Sequence, residues 1–220
     1  MSNDYRTSGT ISVSGIGCVA IEPDVADVLL GVNISRKTVA EARAEAATTM
    51  AAILATVAEA GVPKRDVQSS FLSVQPRYDY RDGRPPELSG YEMNNVATIT
   101  VRDLAKLGDV IDGSLRAGAT SMDGLEFRLA DPAPAEREAR IRAMANARSR
   151  ADVIAEAAAL TITGVESVTE GGAMPPRPFA AKAERMMMAQ DAATPVETGT
   201  MEIEVTVAVT YRTTAWANRS

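Results

Sequence analysis

Residues 10–34 read TISVSGIGCVAIEPDVADVLLGVNI, and the fold turns on how Gly15 and Gly17 are taken. Thr10 to Ser14 alternates polar and apolar residues as a half-exposed strand does, and Val25 to Ile34 forms a second, more apolar strand. Between them, Gly15-Ile16-Gly17-Cys18-Val19-Ala20 has the G-x-G-x-x-A spacing of a dinucleotide fingerprint. That chemistry needs a helix N-terminus next, because the backbone N–H groups of its first turn hold the pyrophosphate. The chain supplies Ile21-Glu22-Pro23-Asp24 and another strand instead. The nucleotide reading is therefore set aside, and the glycines are expected to allow a bulge or bend on the way into the second strand.

Working outward, Thr38 and Glu41 have capping-box spacing ahead of Val39, Ala42, Ala46, Met50, Ile53 and Val57, which recur every three or four residues. Gly61 and Pro63 end that helix. A strand from about Asp66 to Pro76 leads to a turn-rich tip at 78–86 and returns through Asn95 to Val101, a long hairpin. Asp103 can cap a second helix with Leu104, Leu107, Ile111 and Leu115 on one stripe, and Met122 to Leu129 reads as a strand. Asp131-Pro132 opens a third helix running to about Ala159. Its Ala139, Ala143, Ala147 and Ala151 lie four apart, a small-residue row that lets a helix approach a sheet closely. Gly164 precedes a strand at Val165 to Thr169. In the last strand, Met201 to Tyr211, Glu202 and Glu204 face one way and Met201, Ile203 and Val205 the other.

Strand, helix, glycine and strand thus recur three times, which predicts an α/β protein of the α+β kind. Its helices pack on mixed, largely antiparallel sheets in repeated strand-helix-strand units. The organisation expected is a flexible N-terminus at 1–9, one domain over 10–211 and a tail at 212–220. The domain includes a Pro/Ala/Met-rich loop at 171–199, long enough to be functional or disordered.

Composition narrows the chemistry. The 220 residues carry 29 acidic and 23 basic side chains, net charge -6, so nucleic acid is not an expected partner. There is no histidine, which removes the commonest general base and most zinc sites. The single cysteine, Cys18, cannot form an internal disulfide and reads as a small buried hydrophobe. No apolar run approaches a transmembrane span, and no signal peptide is visible before Thr10.

Several features in order carry a family resemblance: Gly15-x-Gly17, Pro23-Asp24-Val25-Ala26, an alanine-rich helix ending in Gly61-Val62, and Pro76-x-Tyr78-x-Tyr80. They continue with Gly90-Tyr91, Asn94-Asn95, Asp103-Leu104-x-Lys106-Leu107-Gly108, Gly118-Ala119 and Phe127 before the alanine-row helix. Together they resemble the SIMPL-domain family of bacterial periplasmic immunogenic and oxidative-stress-associated proteins, over about residues 10 to 211. The resemblance implies helices on mixed sheets, large ring-like or channel-like homo-oligomers and a periplasmic location, with cytoplasmic as the alternative. It supplies no catalytic residues.

No catalytic, cofactor-binding or metal-binding residue is assigned, and the chain is read as a non-enzyme. Asp79, Asp82, Glu87 and Glu92 bracket the hairpin, but nothing in their spacing holds two of them at a hydrolase separation. Met186-Met187-Met188, with Met174 and Met201, has soft thioethers suited to Cu(I) or to oxidation, yet consecutive methionines point apart. Packing against a neighbouring subunit is the reading preferred. Tyr78, Tyr80, Arg77, Arg81 and Arg84 form a basic-aromatic cluster that could bind an anionic ligand or stack a base, and an interface anchor is the reading preferred. The candidate oligomer interface is therefore Arg77, Tyr78, Tyr80, Arg84, Tyr91, Met186, Met187 and Met188, with a self partner. The alternative is a small-ligand-binding module using the 78–91 hairpin or the 171–199 loop. Arg137, Arg140, Arg142, Arg148 and Arg150 read as a solvated helix face.

Overall fold

A computed structural model describes residues 8–80, 85–173, 177–178 and 196–215. The elements in chain order are β1 (Ser8–Ile21), β2 (Val25–Arg36), α1 (Val39–Glu59), β3 (Val67–Asp79), β4 (Glu87–Val101) and α2 (Leu107–Arg116). They continue with β5 (Ser121–Arg128), α3 (Ala133–Ala157), β6 (Leu160–Ala173), the two-residue β7 (Arg177–Pro178) and β8 (Met201–Ala215). This is the α+β fold the sequence predicts, and every strand pairing among the described residues is antiparallel. Contacts divide the chain into two compact units: residues 1–22, 131–182 and 199–220 form one, and 23–130 with 183–198 the other.

In the first unit the sheet order is β1-β8-β6, with β7 also on β8 and α3 against one face. Strand β8 alternates cleanly: Met201, Ile203, Val205, Val207, Val209 and Tyr211 are buried, and Glu202 and Glu204 lie on the opposite face. It continues past Arg212, because Arg212, Thr213 and Thr214 pair with Thr10, Gly9 and Ser8. The expected bend at Gly15 and Gly17 is absent. β1 keeps unbroken register with β8 from Ser8–Thr214 to Ile21–Met201. The glycines serve proximity instead. A Cβ on Gly15 would lie 2.1 Å from the Ala143 carbonyl oxygen, and one on Gly17 2.1 Å from that of Ala139. The alanine row is what meets them, with Ala139, Ala143, Ala147 and Ala151 all fully buried.

In the second unit the chain order β2-α1-β3-β4-α2-β5 folds into a sheet ordered β3-β4-β2-β5, a split βαβ arrangement. Helix α1 is nucleated as expected: Glu41 N donates to Thr38 Oγ1, and Thr38 N donates to Glu41 Oε2. It buries Ala42, Ala46, Met50, Ile53 and Val57 against Ala26, Val28, Leu30 and Val32 of β2 and Met93, Ala97, Ile99 and Val101 of β4. The second helix departs from its expected start. Leu104–Lys106 is a 3-10 turn, Asp103 makes no side-chain cap, and α2 begins at Leu107. That offset rotates the buried stripe to Leu107, Val110, Ile111 and Ser114 and leaves Leu115 exposed. Val196, near the end of the expected loop, packs onto this unit's core.

Candidate functional site

Strand β3 occupies one edge of the second unit's sheet, and its outer side pairs with no other described strand. Side chains alternate between faces, so Leu72 and Val74 share one face and Phe71 lies on the other, all of them exposed. Tyr78 and Tyr80 continue the strand outward, Tyr80 being 76% exposed. Arg77 turns back toward β2 and β4, donating from Nη1 to Ser35 Oγ at 3.0 Å and lying 3.8 Å from Glu92. Tyr91, half-buried on β4, lines the same recess as Arg77. The structure thus brings Arg77 and Tyr91 together and leaves Tyr78 and Tyr80 on the free arm. Arg84, Met186, Met187 and Met188 lie outside the described residues, as do Asp82 and Met174, whereas Met201 is buried in β8.

The edge of β1 is treated differently. Arg142 Nη1 donates to Cys18 O (2.8 Å), Ile16 N donates to Asn146 Oδ1 (3.1 Å), and Arg150 Nη1 donates to Ser14 O (3.0 Å). Four helical residues rise about 6 Å and two strand residues about 6.6 Å, so a helix lying along a strand can meet every second residue with every fourth side chain. This corrects the reading of the α3 arginines as a merely solvated face. Arg142 and Arg150 close a sheet edge, Arg140 pairs with Glu136 and Glu170, and Arg148 pairs with Asp152 while lying 5.7 Å from the centre of the Tyr211 ring.

Two further polar centres escaped the sequence reading. On the open face of the second sheet, Arg128 donates to Asp27 Oδ2 at 2.6 Å and Thr100 to Asp27 Oδ1 at 2.6 Å. Burial works to raise the Asp27 pKa, but these hydrogen bonds and the Arg128 charge prevail and hold it below the usual carboxylate range. Arg102 grips the buried Asp66 through both oxygens at 2.8 and 2.9 Å, and this bidentate bond lowers the Asp66 pKa against the opposing effect of desolvation. Arg102 and Asp66 line a cavity of about 390 Å³ beside the end of α1, together with Arg65 and Lys106. Each acid here is already matched by a cation, the arrangement of structural ion pairs rather than of an acid–base couple. The only sequence signal for them was acidic and basic residues at strand ends, which is common in exposed chain.

Cys18 is half-buried, with Sγ 4.0 Å from Glu204 Oε2. Burial pushes its thiol pKa up, and Glu202 and Glu204 push it further, so the thiolate needed for nucleophilic chemistry is disfavoured. Glu92 accepts from Asn33 Nδ2 at 2.8 Å, and Asp79 stands opposite Glu87 in the β3–β4 register. Among the described residues, no three His, Cys, Asp or Glu side chains are grouped to hold a metal ion.

Residues 11–211 match the family model SIMPL, described as a protein of unknown function (DUF541). The 26 kDa periplasmic immunogenic protein of Brucella melitensis biotype 1 is 32% identical over 208 residues, covering 91% of this chain and 83% of that protein. Its Brucella abortus counterpart gives the same values. The uncharacterized protein YggE of Escherichia coli K12 is 33% identical over 149 residues, 68% of this chain and 58% of YggE. A family match across both sheets and all three helices, joined to a relative of this identity and span, places the chain in the SIMPL family, to which it belongs.

Proposed function

We propose that this chain is a non-enzymatic, self-assembling envelope protein that forms homo-oligomers in the periplasm. The observation that carries the proposal is the β3 edge, where Phe71, Leu72, Val74 and Tyr78 are all more than 40% exposed along a strand with one side unpaired among the described residues. Exposed apolar side chains on an open strand edge favour strand addition by another chain, main-chain bonds giving affinity and side-chain contacts specificity. The edge of β1 is occupied by α3. β5 and β6 are edges as well, but β5 carries one large hydrophobic more than 40% exposed, Met122, and β6 two, Val165 and Val168, against four on β3, which favours β3 for pairing. Periplasmic placement is supported by the Brucella relatives, which are named as periplasmic immunogenic proteins, and no described helix is long and apolar enough to cross a membrane. The link to oxidative-stress protection is supported by the resemblance read from the sequence.

Light scattering on a sizing column at two concentrations tests the assembly. The parent is expected to elute as a discrete multiple of 23.2 kDa. Leu72→Lys, at a position 63% exposed and so free of core cost, is expected to shift mass toward one chain. A parent with the mass of one chain at tens of micromolar would overturn the proposal.

A further inference from the structure

Where β2 runs into α1, the β3–β4 hairpin closes over it to enclose a notch of about 280 Å³. Arg36, Lys37 and Arg77 line it in a chain whose net charge is -6, a local reversal of sign. The carboxylates that answer these cations do so unequally. Glu45 forms an ion pair with Arg36, Glu92 stands off from Arg77 at 3.8 Å, and Glu41 is spent on the Thr38 backbone N–H. Among the described residues, no acidic side chain pairs with Lys37. Ser35 Oγ accepts from Arg77, which leaves its own proton to donate. The walls are held close: a Cβ on Gly90 would lie 2.5 Å from the Arg36 carbonyl oxygen. The first turn of α1, starting at Val39, adds the partial positive charge of a helix N-terminus to a site already built from side chains.

We propose that this notch binds a phosphoryl group, with Lys37 and Arg77 supplying charge and Ser35 a hydrogen bond. A carboxylate is the poorer match, since it brings one negative charge to two cations, Lys37 and Arg77. A tetrahedral dianion answers both charges and outcompetes the loose Glu92 for Arg77. The group can arrive as free phosphate or a soluble ester, or as a lipid headgroup.

Calorimetric titration of the full chain with inorganic phosphate at low salt is expected to give saturable binding with Kd of about 1 mM. Lys37→Ala and Arg77→Ala are each expected to weaken it about tenfold, while Lys37→Arg retains it and Lys64→Ala leaves it unchanged. Flotation with phosphatidylglycerol and phosphatidylcholine vesicles separates the sources. Phosphate-competed binding to vesicles assigns a lipid headgroup, titration with phosphate alone assigns a soluble ligand, and either supports the site. An unchanged light-scattering mass for Lys37→Ala keeps loss of binding distinct from loss of assembly. No saturable heat together with no flotation, or a Kd unmoved by both alanine variants, overturns the proposal.

Discussion

Gly17→Ala adds one methyl group, and the structure says where it must go. The new Cβ would lie 2.1 Å from Ala139 O, 2.4 Å from Ala143 N and 2.9 Å from Arg142 Cβ. The first two neighbours are α3 backbone, so no rotamer relieves the overlap, and removing the neighbouring side chain with Ala143→Gly leaves it in place. Ordinary carbon–oxygen contact begins near ~3.3 Å, so helix and strand must part by roughly 1 Å. A gap of that size forfeits up to about half of the dispersion attraction along the seam. That seam holds Ala139, Ala143, Ala147 and Ala151, all at 0% exposure. Overpacking a core ordinarily costs 1–3 kcal/mol, and a backbone-on-backbone overlap belongs at the top of that range, about 3 kcal/mol. For a chain of this size, that is a fall in Tm of about 6–12 °C by circular dichroism. Gly171→Ala is the control: its Cβ would meet nothing closer than Thr206 O at 3.5 Å. It should be neutral or slightly stabilising, by up to about 1 kcal/mol, through the unfolded chain's lost freedom. If Gly17→Ala melts alongside Gly171→Ala, the proximity argument is wrong.

Other consequences can be measured separately. Replacing Arg142, Asn146 and Arg150 together by Ala unblocks the β1 edge. Dye-binding aggregation assays should then show faster association than the parent, and an unchanged rate would mean that these contacts do not guard the edge. Asp27 and Asp66 have pKa values below the usual range, so their pairs stabilise the fold above the unfolded pKa near ~3.9 and lose that contribution as pH falls through the folded values. Arg128→Ala should therefore move acid unfolding to higher pH, and an unmoved midpoint would deny the Asp27 pair that role. With no histidine in the chain, stability should be nearly flat between about pH 5.5 and 7, as urea titrations at each pH would show.

Local rules with one partner were legible in the sequence. The Thr38–Glu41 box, the α1 stripe, the alternation of β8 and the alanine row of α3 all follow from spacing along a single element. What spacing could not give was the object on the other side. Ala139 and Ala143 announced a close approach, and Gly15 and Gly17 were read as a bend, because each half of one contact was met alone and 124 residues separate Cys18 from Arg142. The sheet order β3-β4-β2-β5 is likewise non-local, since β2 is flanked by β4 and β5 and by neither of the elements next to it in the chain. The interface cluster divided for a similar reason: Arg77 and Tyr80 are three residues apart, yet a register shift between Arg77 and Tyr78 separates the part turned toward β2 from the free arm.

On the proposed assembly, the same accounting of strand edges says how β3 would be open without being promiscuous. An exposed edge with continuous register accepts partners at many offsets and invites runaway addition. β3 carries register shifts between Ser69 and Phe71 and between Arg77 and Tyr78, so its regular pairing window is only Phe71 to Arg77. Pro76 lies within that window and has no N–H to offer a neighbouring strand. The stretch able to add a strand is thereby reduced to about Phe71–Gln75, where Phe71, Leu72 and Val74 supply apolar contacts on both faces. Bulges restrict the length and the proline restricts the direction of growth, leaving few registers in which a second chain can bury those three side chains together. An edge limited in this way suits a closed assembly of defined size, whereas β1, with fourteen residues in unbroken register, would be the hazardous edge and is the one α3 occupies.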